Sequence, residues 1–412
     1  MDWTPTRQAG LERLRAFVPH AGSAYASGRN RDEGWEPSAG AGPDSRTTVS
    51  GLSPWIQRRL VLESEVVRAV TEAHGPAQPE KFVQEVLWRT YWKGWLAMRP
   101  SVWADYLSDC DRDAQRVESN GRARRAYARA CDGETGLACF DHWSAELRET
   151  GYLHNHARMW FASIWTFTLG LPWTLGAAWF ERHLLDADAA SNTLSWRWVA
   201  GLHTRGKHYV ARAENIRRFT GGRFDPTGAL ARAPAALHDD REHPREPIVE
   251  LPEAPNHSDV RSGLLLTTED LCPERSALRD TTFVSVAGGL PADVTGTHGS
   301  RPIQFHAASL HDGLQRSATA FAAAAVRLPD GTDYLDGVLA WAHEAALQRV
   351  VAHAPTVGRW TASFERLATR LSRSGIELAL CRRAWDTQLY PHATAGYFKF
   401  KKVIPDLLRR IA

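Results

Sequence analysis

The stretch from Gly151 to Trp198 constrains this chain more than any other. It holds Trp160, Trp165, Trp173, Trp179, Trp196 and Trp198, six of the 17 tryptophans, and sets Asn155, Arg158, Asp186, Asp188 and Asn192 among them. Sequence this rich in indole must be buried. Charge inside it is costly unless it is paired or meets a polar ligand. Two readings fit. One is a tryptophan-rich helical core whose polar groups satisfy one another. The other is an apolar cavity with a few convergent polar groups, which suits a large planar cofactor.

A chain of 412 residues is long enough for two or three domains, each with its own core. The net charge of +3 allows a local basic face but does not demand one. No run of about 18 apolar residues occurs, so no membrane span is expected. The N-terminus, MDWTPTRQAG, lacks the apolar core of a signal peptide. The cysteines at 110, 131, 139, 272 and 381 are scattered, with no C-x-x-C pair. Neither a disulfide framework nor an iron–sulfur or other metal site is expected, and a reducing cytoplasm fits.

The apolar spacing of Leu11, Leu14, Phe17 and Val18 predicts a helix over Gly10–Val18. Residues 30–48, rich in Gly, Ser, Pro, Asp and Arg, read as a loop. Ser50, Leu52, Ser53 and Pro54 then open a helix. Serine hydroxyls and free N–H groups at a helix start can cap the helix or hold a diphosphate. In FVQEVLWRTYWKGWLAMRP, residues 82–100, Glu85, Trp88 and Arg89 fall within one helical turn. Asn155 and Met159 are four apart, as are Asp188 and Asn192, so each pair shares a helix face. Between Arg197 and Arg223 stand seven Lys/Arg and one acid, Glu214. That run, with Arg205, Lys207 and Arg212 at its centre, reads either as a solvated loop or as a phosphate-contacting rim. Tyr209 and Phe219 interleave with it, as suits an unstacked strand. Pro and mixed charge mark 226–258 as a linker. Beyond it, apolar runs at Leu264–Leu266, Phe283–Val286 and Ile376–Leu380 alternate with helical patterns such as Phe364, Leu367 and Leu371. This alternation predicts an α/β layer with a parallel sheet.

YLHNHARM followed by LLDADAASNTLSWRW resembles the flavin-binding heart of the photolyase/cryptochrome family, whose CPD photolyases show W-M-H-N-R-x-R-M and D-G-D-x-A-x-N-x-G-x-W-x-W. Val49–Pro54 is similar to its T-S-x-L-S-P block and residues 82–92 to W-x-N-E-L-x-W-R-E-F-Y. Thr135, Gly136 and Asp141 match T-G-x-x-x-x-D. The ordered blocks run from about Gly10 to Pro226.

The resemblance implies FAD held by Tyr25, Ser50, Leu52, Ser53, Arg158, Asp186, Asp188 and Asn192. Asp186 would pair with Arg158, Asp188 would accept from the ring edge, and Asn192 would face flavin N5. Val49 replaces the family's first Thr, and Thr47 or Thr48 is the stand-in. The resemblance places Glu85, Trp88, Asn155 and Met159 against the damaged pyrimidines. Arg29, Arg89, Arg205, Lys207 and Arg212 are expected near the DNA backbone. Trp196 and Trp173 match two steps of the family's electron-transfer wire. Its exit position falls on Ala130, leaving Tyr127, Trp143 or Trp165 to take over. GYFKF at 396–400 echoes the end of the family's antenna domain, which here would follow the flavin domain. It identifies no antenna chromophore.

The expected architecture is α plus α/β. An all-helical photolyase-type FAD-binding domain spans 1–225, and a smaller Rossmann-like α/β domain spans 259–412, either antenna-like by the resemblance or an unrelated accessory domain. The implied function is blue-light repair of cyclobutane pyrimidine dimers in damaged DNA by a cytoplasmic monomer. The alternatives are a cryptochrome-like photoreceptor and a structural flavoprotein.

Overall fold

The computed structural model describes residues 3–35, 48–256 and 259–411. The chain forms two compact units that interleave along the sequence. One contains Trp3, His20–Gly51 and Arg99–Pro244, and the other contains Thr4–Pro19, Leu52–Met98 and Arg245–Ala412. No helix among the described residues is long and apolar enough to cross a membrane.

The first unit is helical. Its longer helices are Pro100–Glu118, Gly121–Asp132, Ala138–Thr150, Asn155–Ser163, Trp173–His183 and Ala189–Ala200. Local chemistry sets their ends. Asn120 accepts from the amides of Arg122 and Ala123 to start one helix. Gly133, Gly151 and Gly201, with φ of 70°, 70° and 85°, close that helix and two others. Asp141 gathers the Thr135 and Gly136 amides and the Thr135 hydroxyl at 2.6–2.9 Å. The aromatic residues form its core. Phe140 stacks on Phe161 at 4.2 Å, and Phe161 lies parallel to Trp179 at 5.4 Å. Residues 226–244 carry no helix or strand and run over this unit. Arg241 in that segment pairs with Asp109 and Asp239.

The second unit holds the helices Arg7–Phe17, Glu63–His74 and Glu80–Ala97 together with a five-stranded parallel sheet. The strands are β1 (Ser262–Leu266), β2 (Ser285–Gly288), β3 (Ala324–Arg327), β4 (Arg349–His353) and β5 (Glu377–Cys381), in the order β3-β2-β1-β4-β5. In the register, Leu264 stands opposite Val286 on one side and Val351 on the other. The predicted parallel sheet is present, but β3 and β4 carried no readable signal. β3 is an exposed edge built on alanine. β4 is a buried strand that begins with Arg and ends with His. Its polar ends have partners, Arg349 paired with Glu377 at 2.7 Å and the His353 ring 3.4 Å from Asp270.

Beyond β1, β4 and β5 the chain supplies its own charged plug. Asp270 receives Arg383 at 2.6 and 2.7 Å and Arg59 at 3.2 Å, while Arg59 also grips Asp386 at 2.6 and 2.8 Å. Arg59 holds a left-handed φ of 49°, which non-glycine residues seldom adopt. Its carboxylate partners, Asp270, Asp386 and Glu63, hold the guanidinium there.

The compact units differ from a linear division at residue 225. The Glu80–Ala97 helix belongs with the sheet, not with the helices that follow it. Its buried aromatic and small residues explain this. Trp385 donates its indole N–H to Thr90 at 3.1 Å. A Cβ on Gly94 would lie 2.8 Å from the Tyr390 Cα, so only glycine allows that approach.

Candidate functional site

Two short segments of the helical unit meet to form one polar wall. The Leu185 amide donates to the Gly151 carbonyl at 2.8 Å, which brings the loop after Trp173–His183 beside the start of Asn155–Ser163. Arg158 then forks onto Asp186, with Nη1 and Nη2 at 3.1 and 2.9 Å from its two oxygens. Arg158 Nε donates to the Leu153 carbonyl at 2.8 Å, and the guanidinium lies over the Tyr152 ring. Asp186 is buried, while the Arg158 side chain stays 24% exposed. The pair is thus satisfied on one side and open on the other.

Asp188 caps the next helix, accepting from the Ser191 amide at 2.6 Å. Asn192 sits one turn further and donates its amide to the Ala177 carbonyl at 2.8 Å. Three buried atoms of this helix, Ser191 Oγ, Thr193 Oγ1 and Trp196 Nε1, have no hydrogen-bond partner among the described residues. Buried polar atoms are normally paired. A helix presenting several of them beside a forked Arg–Asp pair fits a large polar-edged ligand. Among the described residues no His, Cys, Asp or Glu cluster could hold a metal ion.

Asn155 is exposed at the N-terminus of its helix and Met159 is half-buried one turn on. His154 caps that helix, its Nδ1 accepting from the His156 amide at 3.1 Å. His156 stacks on Trp160 at 4.1 Å. Burial lowers the pKa of His156, so it is neutral at physiological pH. Asp32 lies in the segment read as a loop, and no periodicity marked it. It is 1% exposed, receives the Trp143 indole N–H at 3.1 Å and pairs with Arg223 at 3.2 Å. Burial would raise its carboxyl, but His154, Arg223 and Trp143 outweigh burial and hold it low.

Tyr25 is buried in the same unit, and Arg29 is half-buried one turn later. Ser50 also belongs to this unit, whereas Leu52 and Ser53 belong to the other. Thr47 lies outside the described residues. Thr48 presents a buried hydroxyl with no hydrogen-bond partner among the described residues. Of the basic run, Arg197 is buried over the Trp173 ring near Asp239, and Arg223 serves Asp32. Arg205, Lys207 and Arg212 are exposed.

The Trp196 indole meets Trp165 at 6.3 Å and Phe180 at 5.1 Å. Trp165 in turn meets Tyr127 edge-on at 5.8 Å. Trp173 instead packs with Tyr106 at 5.7 Å. Trp165 lies in a π-helical turn, Ile164–Thr168, a backbone irregularity that often marks functional sites.

In the sheet unit, Arg89 is turned inward, bonded to Gln57 with Nε 3.6 Å from Glu63. That is an internal pairing rather than an outward phosphate contact. Glu85 and Trp88 lie on the Glu80–Ala97 helix, and Trp88 is stacked under Tyr397 at 3.6 Å with planes 11° apart.

Residues 82–243 match the family model described as the FAD binding domain of DNA photolyase. The chain is 32% identical over 233 residues to a deoxyribodipyrimidine photo-lyase of Streptomyces griseus, covering 52% of this chain and 49% of that one. It is 30% identical over 202 residues to a cryptochrome DASH of Natronomonas pharaonis, covering 46% and 40%. A class III photolyase crystal structure from Agrobacterium tumefaciens aligns with a TM-score of 0.43 at 26% identity, over 53% of this chain and 43% of that one. The chain spans about half the length of the curated relatives it matches.

Proposed function

We propose that this chain is a member of the photolyase/cryptochrome family, on the match of residues 82–243 to the FAD binding domain of DNA photolyase, and that it repairs cyclobutane pyrimidine dimers in DNA under blue light. The observation that carries the reading is the forked Arg158–Asp186 pair beside a helix whose buried Ser191, Thr193 and Trp196 polar atoms lack partners among the described residues. When bound, reduced FAD supplies the electron that splits the dimer and takes it back.

The chain's own part is positional and electrostatic. Arg158 and Asp186 orient the isoalloxazine, and each holds the other's charge. Asp188 accepts from the ring edge, and Asn192 offers N5 an uncharged partner. Tyr25, Ser50, Leu52 and Ser53 serve the diphosphate. By the resemblance, Glu85 would hydrogen-bond the damaged bases and Trp88 would stack on them, and Asn155 and Met159 are each candidate contacts to the same bases. Arg29, Arg205, Lys207 and Arg212 draw the phosphate backbone by charge. The damaged dinucleotide leaves the duplex to reach such a site, at an unstacking cost of about a few kcal/mol. Arg89 joins the phosphate set only if it leaves Glu63.

A second reading, a photoreceptor without repair, is favoured by one feature, the Trp88 face already taken by Tyr397. The deciding experiment is blue-light treatment of a dimer-containing oligonucleotide with the chemically reduced, FAD-loaded protein and a dark control. Light-dependent loss of the dimer supports repair. Intact dimers with a bound, photoreducible flavin support the photoreceptor. A protein that takes up no FAD excludes both.

A further inference from the structure

Trp88 is the ring to which the proposed repair function gives a stacked base, yet it already carries a stacked ring from its own chain. Tyr397 lies parallel to it at 3.6 Å and is 4% exposed. Several bonds hold the arrangement. The Tyr397 hydroxyl donates to the Gln84 carbonyl at 2.8 Å, and the Tyr91 hydroxyl donates to the Ala395 carbonyl at 2.7 Å. Lys401 reaches Glu80 at 3.2 Å, and Phe400 packs against Tyr91 at 5.7 Å. Tyr91 and Trp92 flank the Trp88 indole at 5.5 and 5.3 Å. Burial raises the Tyr397 phenol, and the Glu85 and Glu80 charges add to the shift.

From this we infer that Gly396–Lys401 is a gate: Tyr397 occupies the Trp88 face that an unstacked pyrimidine takes, and DNA must displace it. The inference rests on the role given to Trp88 above. The segment is built to leave. Its helix, Tyr397–Lys401, is five residues long, too short to persist without packing. It starts at Gly396, where an added Cβ would meet nothing within 4 Å. Phe398, the second residue of this helix, is 80% exposed and contributes little to holding the segment down. Lys399, Lys401 and Lys402 give the segment a charge that phosphates attract. Displacement exchanges the Tyr397 ring for a base on the same Trp88 face, and gives up the Tyr397–Gln84 bond and the Lys401–Glu80 pair.

The test uses the FAD-loaded full chain and a thymine-dimer oligonucleotide, with affinity read by fluorescence anisotropy. Tyr397→Ala is expected to bind roughly five- to tenfold tighter than the unaltered protein, the range one aromatic pair supplies. The gain should vanish when Trp88→Ala is added. Tyr397→Leu, which keeps most of the volume without a stacking ring, serves as the second variant should the alanine form fail to fold. Backbone hydrogen exchange over 396–401 in the unaltered protein should rise when the oligonucleotide binds. Equal affinity of the unaltered and the folded variant proteins, or unchanged exchange over 396–401 on binding, overturns the gate and leaves the repair reading standing. If neither protein binds the oligonucleotide while FAD is present, the repair reading falls and the gate falls with it.

Discussion

Trp196 meets Trp165 edge to face, ring centres 6.3 Å apart and planes at 85°. Gly176 is what lets them approach. A Cβ there would stand 2.4 Å from Trp196 Cη2 and 2.9 Å from Trp165 Nε1. The first indole of the expected wire therefore has Trp165 as a neighbour, and Trp165 leads on to the half-buried Tyr127.

Gly176→Ala should force those indoles apart at a cost of about 1–3 kcal/mol, typical of overpacking. Urea unfolding measures the loss, and near-ultraviolet circular dichroism reports the altered indoles. In the FAD-loaded protein, flavin photoreduction should slow in Trp165→Phe more than in Trp173→Phe. The opposite order would return the second step of the wire to Trp173.

Asp186→Asn removes the charge that faces the Arg158 fork. Charge-assisted bonds of this kind contribute about 1.5–3 kcal/mol. FAD affinity should fall roughly tenfold to a hundredfold, read from flavin absorbance after titration. Arg158→Lys should weaken binding as well, because a single ammonium cannot make the two parallel bonds. Undiminished affinity in both variants would place the flavin elsewhere.

Asp270→Ala should be among the most damaging substitutions in the sheet unit. It strands Arg383 and Arg59, both buried, with fewer carboxylates than they need. Breaking one side of a buried ion network costs about 3–5 kcal/mol. Chemical denaturation of the variant checks this, and a loss below about 1 kcal/mol would show that water reaches these arginines.

Acid should destabilise the fold well before its carboxylates titrate. Burial lowers His353 to about 4, His183 to about 4 and His203 to about 3, against 6.5 for a free histidine. The unfolded chain therefore binds protons that the folded chain refuses. The stability these histidines supply is complete above pH 6.5 and is lost as pH falls toward 4. His353 alone accounts for at most about 3 kcal/mol across that window. Melting temperature followed from pH 7.5 to 4.5 should fall from about pH 6.5 downward, and His353→Gln should flatten the slope.

Much of the candidate wall was legible before any coordinates, because its logic is local. Asn155 and Met159 stand four apart within one helix, whereas Asp188 stands outside its helix as the extended N-cap that precedes Asn192, and the aspartate and glycine caps lie within a few residues of the helix ends they serve. β1, β2 and β5 announced themselves as apolar runs. β4 did not, because its terminal Arg and His become tolerable only once Glu377 and Asp270 are beside them.

Other features required the folded chain. Nothing near Arg89 in sequence foretold that Gln57 and Glu63 would turn it inward. Nothing near Asp32 foretold Trp143 and Arg223, and nothing near Trp88 foretold Tyr397 at the far end of the chain. Spacing along a helix fixes which side chains share a face, since the backbone geometry is constant. Which distant ring or charge covers that face depends on how separate segments pack, so the chemistry of the wall was written in the sequence and the covering of Trp88 was decided by the tertiary structure.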